Sequence, residues 1–214
     1  MVKSKNAVIF DWDLTLWNSW DLHVWLLRYT ADILQVLQPK PEIVAQEYGV
    51  PFLLHLERVL NLPIERVLPV YMGMYDVIMP LKGHLYDGIK TTLQGLADHG
   101  IIMAIVSDKR EPFGYSELKR TGLQDHFQFV SFLNAEREYK PSPSRLFEAC
   151  ENLELDRKTV LYIGDSHSDL QCAELAGIDF GAATWAALQS EAITPESKHV
   201  FPHPSHILSV VTNP

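Results

Sequence analysis

A chain of 214 residues that is 47% hydrophobic and 21% charged can bury one full core, or a core plus a smaller module. Its formal net charge of −9 argues against a nucleic-acid polymer as partner, because affinity for phosphate backbones rests on clustered Lys and Arg. No stretch approaches 18 uncharged apolar residues, and the N-terminus lacks an apolar segment of signal-peptide length. A soluble, cytoplasmic protein that uses no membrane, as a monomer or homodimer, is therefore expected.

The apolar run "AVIF" at 7–10, rich in strand formers and stopped by acids, predicts a central strand. From Ser19 the period changes: Leu22, Leu26, Tyr29, Ile33 and Leu37 recur at helical spacing until Pro39 and Pro41. Two or three further helices are expected up to about residue 80, with breaks at 49–51 and 62–63. Alternation then begins. A helix ending at Gly100 precedes a strand at 101–106, and "EPFGYSELKRTG" predicts a helix broken near its start. "FQFVSFL" predicts a strand, "SPSRLFEACENLEL" a helix with Pro in its first turn, and "KTVLYIGDS" another strand. "HSDLQCAELAG" predicts a helix and "IDFGAATW" the last short strand. Nearly continuous apolar strands alternating with helices define a parallel sheet covered on both faces. The expected fold is thus a Rossmann-like α/β/α core, residues 1–16 and 81–214, carrying an inserted all-helical cap at 17–80. The tail, including the His-rich "HVFPHPSH", reads as irregular, solvated chain with one late helix near Ile207. Cys150 and Cys172 both fall in helical contexts and read as core packing.

Ligand sites in open parallel sheets form beyond the carboxyl ends of the strands. Four such ends carry polar chemistry: Asp11 and Asp13 after the first strand, Ser107 and Asp108 after the second, Lys140 in the loop after the third, and Asp165, Ser166 and Asp169 after the fourth. Carboxylates gathered there repel one another unless a cation intervenes, and an oxygen-only ligand set implies a hard ion such as Mg²⁺. Lys140 and Ser107 add the charge and donors that hold a phosphoryl-like anion. An ionised aspartate beside such an ion and a lysine is a setting for carboxylate attack on phosphorus.

These segments carry a family likeness. "DWDLT", "IVSD", "YKPSP" and "GDSHSD" resemble, in order and spacing, the four motifs of the haloacid-dehalogenase-like (HAD) hydrolase superfamily. The helical insertion is similar to the small cap of its phosphoglycolate-phosphatase-like members. The resemblance implies a Mg²⁺-dependent phosphomonoester hydrolase acting on a small phosphorylated metabolite. It implies Asp11 as nucleophile, Asp13 as general acid and base, and Ser107, Lys140 and Thr15 around the phosphoryl group. Metal ligands would be Asp11, the backbone carbonyl of Asp13, Asp165 and Asp169. Dehalogenases of this fold tend to lack the second aspartate and the later metal-binding acids, both present here, and a phosphomutase would demand more of the cap. A binding protein of the same fold that has lost turnover is the competing class.

Two positions depart from the family pattern. Leu14 stands where glycine is usual, so right-handed or extended backbone is expected there. Asp108 stands where asparagine is frequent, and should turn away or meet Lys109 or Arg110. Trp12, Trp17, Arg28 and His167 are the candidates for lining the substrate site. A cap able to close over a site favours small metabolites over polymers.

Overall fold

The computed structural model describes residues 5–48, 50–186, 188 and 190–212. Gly49, one of the expected break points, lies outside them. The chain forms two compact units: one holds the described residues up to Trp17 and from Leu85 onward, the other is Asn18–His84.

In the first unit, β1 (Ala7–Phe10) is a four-residue strand whose every side chain is at most 1% exposed. Burial on both faces is what its unbroken apolar run requires. The short β2 (Trp17–Asn18) follows at the boundary between the units. In the second unit come α1 (Trp20–Ile33), α2 (Pro41–Gln46), α3 (Phe52–Leu60), α4 (Ile64–Gly73) and α5 (Tyr75–Lys82). That is one or two helices more after α1 than the sequence led us to expect, and Pro69 and Pro80 lie within helices. α1 also stops short of Leu37, which is 93% exposed. β3 (His84–Leu85) pairs with β2 in a two-stranded ribbon.

Among the described residues, the buried side-chain polar groups of the second unit are satisfied. The Nδ1–H of His55 faces the carbonyl of Glu47 at 2.9 Å, so its Nε2 accepts from Nε2–H of His23 at 2.8 Å. His23 Nδ1 then accepts from the Tyr71 hydroxyl at 2.7 Å. Burial pushes the His55 imidazole below its ordinary range.

Back in the first unit, α6 (Ile89–Asp98) leads to β4 (Ile102–Arg110), and α7 (Glu111–Thr121) leads to β5 (Phe129–Leu133). α7 runs without the expected break. Its glycine is there for packing: a Cβ on Gly114 would sit 2.5 Å from the ring of Phe132. Next come α8 (Ser144–Asn152), β6 (Val160–Gly164), α9 (His167–Ala176) and β7 (Asp179–Ala183). The tail is more ordered than its composition suggested. A short α10 (Ser190–Ile193), a strand β8 (His199–Phe201) and α11 (His206–Thr212) complete the unit. The His-rich segment is therefore partly sheet edge, because Phe201 is 1% exposed and packs over Gly181.

All pairs in the six-stranded sheet are parallel, in the order β5-β4-β1-β6-β7-β8. β1 lies between β4 and β6, which brings the residues after these three strands to one edge. The layered parallel sheet and the helical insertion are the architecture expected. Cys150 and Cys172 are buried free thiols. Among the described residues, no helix is long and apolar enough to cross a membrane.

Candidate active site at the strand ends

The ladder fixes Asp11 directly: its N–H donates to the Ile163 carbonyl at 2.8 Å, one residue past the end of β1. The chain then turns back. Both Leu16 and Trp17 donate their N–H to the Trp12 carbonyl, and Leu14 donates to that of Trp17 at 2.8 Å. Leu14 sits at φ 59°, in the left-handed region, which corrects the expectation of right-handed or extended backbone. A leucine there costs about 1–2 kcal/mol. Its side chain, 1% exposed, offsets that cost by burial worth about 1.5–3 kcal/mol.

β4 supplies the second group of residues through a register shift. Val106 aligns with Ser131 and Arg110 with Leu133, so four steps on β4 match two on β5. The surplus lifts Ser107, Asp108 and Lys109 out of regular pairing. Ser107 is buried, and its carbonyl accepts from Arg145 Nη1 at 2.6 Å. Asp108 meets Arg145 on α8, and it also accepts from the backbone N–H of Lys140 at 3.1 Å. Arg145 thus ties the Ser107 segment to the Lys140 loop.

Lys140 is the centre of the cluster. Its ammonium donates to Asp11 and, at 2.6 Å, to Asp169 Oδ1. It also lies 5.5 Å from the ring centroid of Tyr162. Asp11, Asp165 and Asp169 each offer a carboxylate oxygen, all within 4.8 Å of one another. Burial and the neighbouring acids push Asp11 up to about 7, against the opposing pull of Lys140. Burial, Asp169 and Asp11 hold Asp165 well above the usual carboxylate range. Burial opposes the charge on Lys140, but Asp11, Asp169 and Asp108 outweigh it and keep the ammonium above its ordinary value. Asp169 is the exception among the acids: burial would raise it, yet Lys140 and the hydroxyl donors of Ser166 and Tyr162 hold it low.

Asp169 has both oxygens engaged. Oδ1 meets Lys140 and the Tyr162 hydroxyl at 2.8 Å; Oδ2 accepts from Ser166 N at 3.1 Å and from its hydroxyl at 2.5 Å. It also closes a reciprocal cap on α9. Room for this comes from Gly164, where a Cβ would lie 2.5 Å from the Asp169 carboxyl carbon. The surplus of buried carboxylates over ammonium, with oxygen donors alone, fits a hard divalent ion. Asp11 and Asp165 are the acids freer to hold such an ion, and Asp169 is the support that holds Lys140.

The other expected site residues fall in different places. The Thr15 hydroxyl, fully buried, donates to Asp165 at 3.3 Å, so it braces a carboxylate. Trp12 is no wall of an entrance either. It is 0% exposed, stacks on Trp17, and its indole N–H donates to Glu117 Oε2 at 2.7 Å. Trp17 is buried, with its Nε1 unpartnered among the described residues. His167 opens α9 on the surface, and Arg28 is exposed on α1 of the second unit. Sequence reasoning missed Tyr162, Glu117, Arg145 and the part played by Lys109. Only Gly164, standing before Asp165 after an apolar strand, gave a readable signal of close approach.

The model of the haloacid dehalogenase-like hydrolase family matches residues 8–183, and the chain belongs to that family. Among curated proteins it is 28% identical over 195 residues, 91% of this chain and 89% of the other, to "Putative pyrophosphatase PpaX" of Caldanaerobacter subterraneus subsp. tengcongensis. It is 32% identical over 114 residues to a phosphoglycolate phosphatase of Nitrosospira multiformis, about half of each protein (53% and 50%). A haloacid dehalogenase-like hydrolase from Streptococcus pneumoniae, 20% identical, superposes with a TM-score of 0.84 over 96% of this chain and 97% of that one, a likeness of fold. The protein is a HAD-like hydrolase with phosphoglycolate-phosphatase-like relatives.

Proposed function

We propose that this hydrolase is a Mg²⁺-dependent phosphomonoesterase that releases phosphate from a small metabolite through an aspartyl-phosphate. The observation carrying the reading is the buried Lys140 ammonium shared between Asp11 and Asp169, with Asp165 beside them. This is a nucleophile, a charge to hold phosphoryl oxygens and a metal-compatible acid in one cluster. The phosphatase names among the relatives support the same class.

Asp11 attacks phosphorus, and the bond to the leaving oxygen breaks as Asp13 gives that oxygen a proton. Ser107 and Lys140 hold the phosphoryl oxygens as charge shifts among them. Asp13, now a carboxylate, takes a proton from water as its oxygen attacks the aspartyl-phosphate, returning Asp11 and inorganic phosphate. Asp11, Asp165 and the carbonyl of Asp13 would hold the ion, which supplies charge neutralisation and alignment when bound.

A screen of phosphorylated metabolites, including phosphoglycolate, sugar phosphates, nucleotides and pyrophosphate, tests the proposal by phosphate release with Mg²⁺ and with EDTA. Metal-dependent release that Asp11→Asn abolishes is expected. No release from any compound refutes the reading in favour of a binding protein, and metal-independent halide release from a 2-haloacid would make it a dehalogenase.

A further inference from the structure

Asp13 does not stand alone at the end of its loop. Its Oδ1 accepts from Lys109 Nζ at 3.1 Å, and the same ammonium lies 3.0 Å from Oε1 of Glu117 on α7. The other oxygen of Glu117 accepts from the Trp12 indole at 2.7 Å. The exposures grade inward: 24% for the Asp13 side chain, 11% for Lys109 and 0% for Glu117. A fully buried carboxylate is costly, and well-packed apolar residues in place of a buried ion pair are often neutral or stabilising. Core packing alone therefore does not account for Glu117. What Glu117 does accomplish is geometric. It holds a long, flexible lysine at one place, and it pins the indole of the residue that separates Asp11 from Asp13.

We infer that Lys109, fixed by Glu117, is a positioning residue that orients the Asp13 carboxyl for proton transfer. The inference rests on the reading of Asp13 as acid and base. Lys109 occupies Oδ1 and leaves Oδ2 as the oxygen that delivers a proton to the leaving group while the Asp11–phosphorus bond forms. Without Lys109, the half-open carboxyl rotates freely and its proton is no longer aimed. The loss then depends on the leaving group. An alkoxide needs the proton, whereas p-nitrophenolate departs unprotonated.

The test compares kcat/KM of wild type, Lys109→Met, Lys109→Arg and Glu117→Gln on ethyl phosphate and p-nitrophenyl phosphate at saturating Mg²⁺. This ratio reports the steps through leaving-group departure, so later hydrolysis of the aspartyl-phosphate does not mask the effect. Lys109→Met should lose roughly 100-fold on the alkyl ester, the low end of general-acid contributions, and much less on the aryl ester. Lys109→Arg should recover part of the alkyl-ester rate. Glu117→Gln keeps the volume while loosening Lys109; it should show the same skew more weakly, and it carries the test if Lys109→Met does not fold. Equal losses on both esters, or no loss on either, overturn the role of Lys109 while wild-type turnover leaves the phosphatase reading standing. Wild type inactive on both esters and on the metabolite panel overturns both.

Discussion

Chelating divalent ions should make this protein lose stability as the pH rises through the neutral range, opposite to the usual carboxylate behaviour. Asp11 is 5% exposed, and burial with its acidic neighbours lifts its pKa from 3.8 to about 7. Between those values the folded protein holds a proton that the unfolded chain has released, so each pH unit of increase costs about 1.4 kcal/mol. The full interval amounts to roughly 4 kcal/mol, and the part between pH 5 and 7 to about 2 kcal/mol. Asp165 is displaced in the same direction. For a chain of this size, about 2 kcal/mol corresponds to a fall in Tm of about 4–8 °C. Asp169, held low, has the opposite sign: its contribution is present above the ordinary carboxylate pKa and lost only in acid. His55, also held low, adds stability as pH rises toward its ordinary 6.5, but it does so equally with or without Asp11. Thermal melts of wild type and Asp11→Asn in EDTA from pH 5 to 8, subtracted one from the other, isolate the aspartate. The wild-type curve should fall relative to the variant, and Mg²⁺ should remove most of that fall by compensating the ionised carboxylates. A difference curve that is flat or rises with pH in EDTA would refute the assignment of a strained, buried carboxylate at residue 11.

Gly164→Ala should cost about 100-fold in kcat/KM, because the new methyl meets Asp169 at 2.5 Å and displaces the partner of Lys140; steady-state kinetics check it, and an unchanged rate would contradict the close approach. Arg145→Met should destabilise by on the order of 2 kcal/mol in urea unfolding, discounted from a fully buried pair because the Asp108 side chain is 33% exposed. Adding Asp108→Asn should recover part of that loss, and additive losses would deny the pairing. Leu14→Gly should relax about 1 kcal/mol of backbone strain but lose about 3 kcal/mol of burial, for a net destabilisation near 2 kcal/mol in the same assay.

The sheet was legible because its strands are unbroken apolar runs, and such runs in alternation with helices have few other solutions. β8 was not: its three residues lie in a polar, Pro- and His-rich stretch, and only the packing of Phe201 over Gly181 turns it into an edge strand. The helical region hid its number of helices because α4 gives way to α5 at Met74 without a proline, while Pro69 and Pro80 lie inside those helices. At the site, the acids and Lys140 could be found since each follows a strand. Their partners could not. Trp12 and Glu117 are 105 positions apart, and Arg145 meets Asp108 across 37, so neither pairing leaves a local pattern. Leu14 shows the limit of a propensity argument: a left-handed leucine is disfavoured on its own, but burial of its side chain decides the balance.

The reciprocal cap at the start of α9 gives the site a built-in reporter. The hydrogen bonds that begin this helix are made by the same carboxylate that steadies Lys140, so fraying of its first turn and loosening of the cluster are one event. Amide exchange at Ser166, whose N–H is held by Asp169 Oδ2, would therefore register changes around Lys140 without any substrate present. Ligand binding at the cluster should slow that single amide before it alters anything in the sheet behind it.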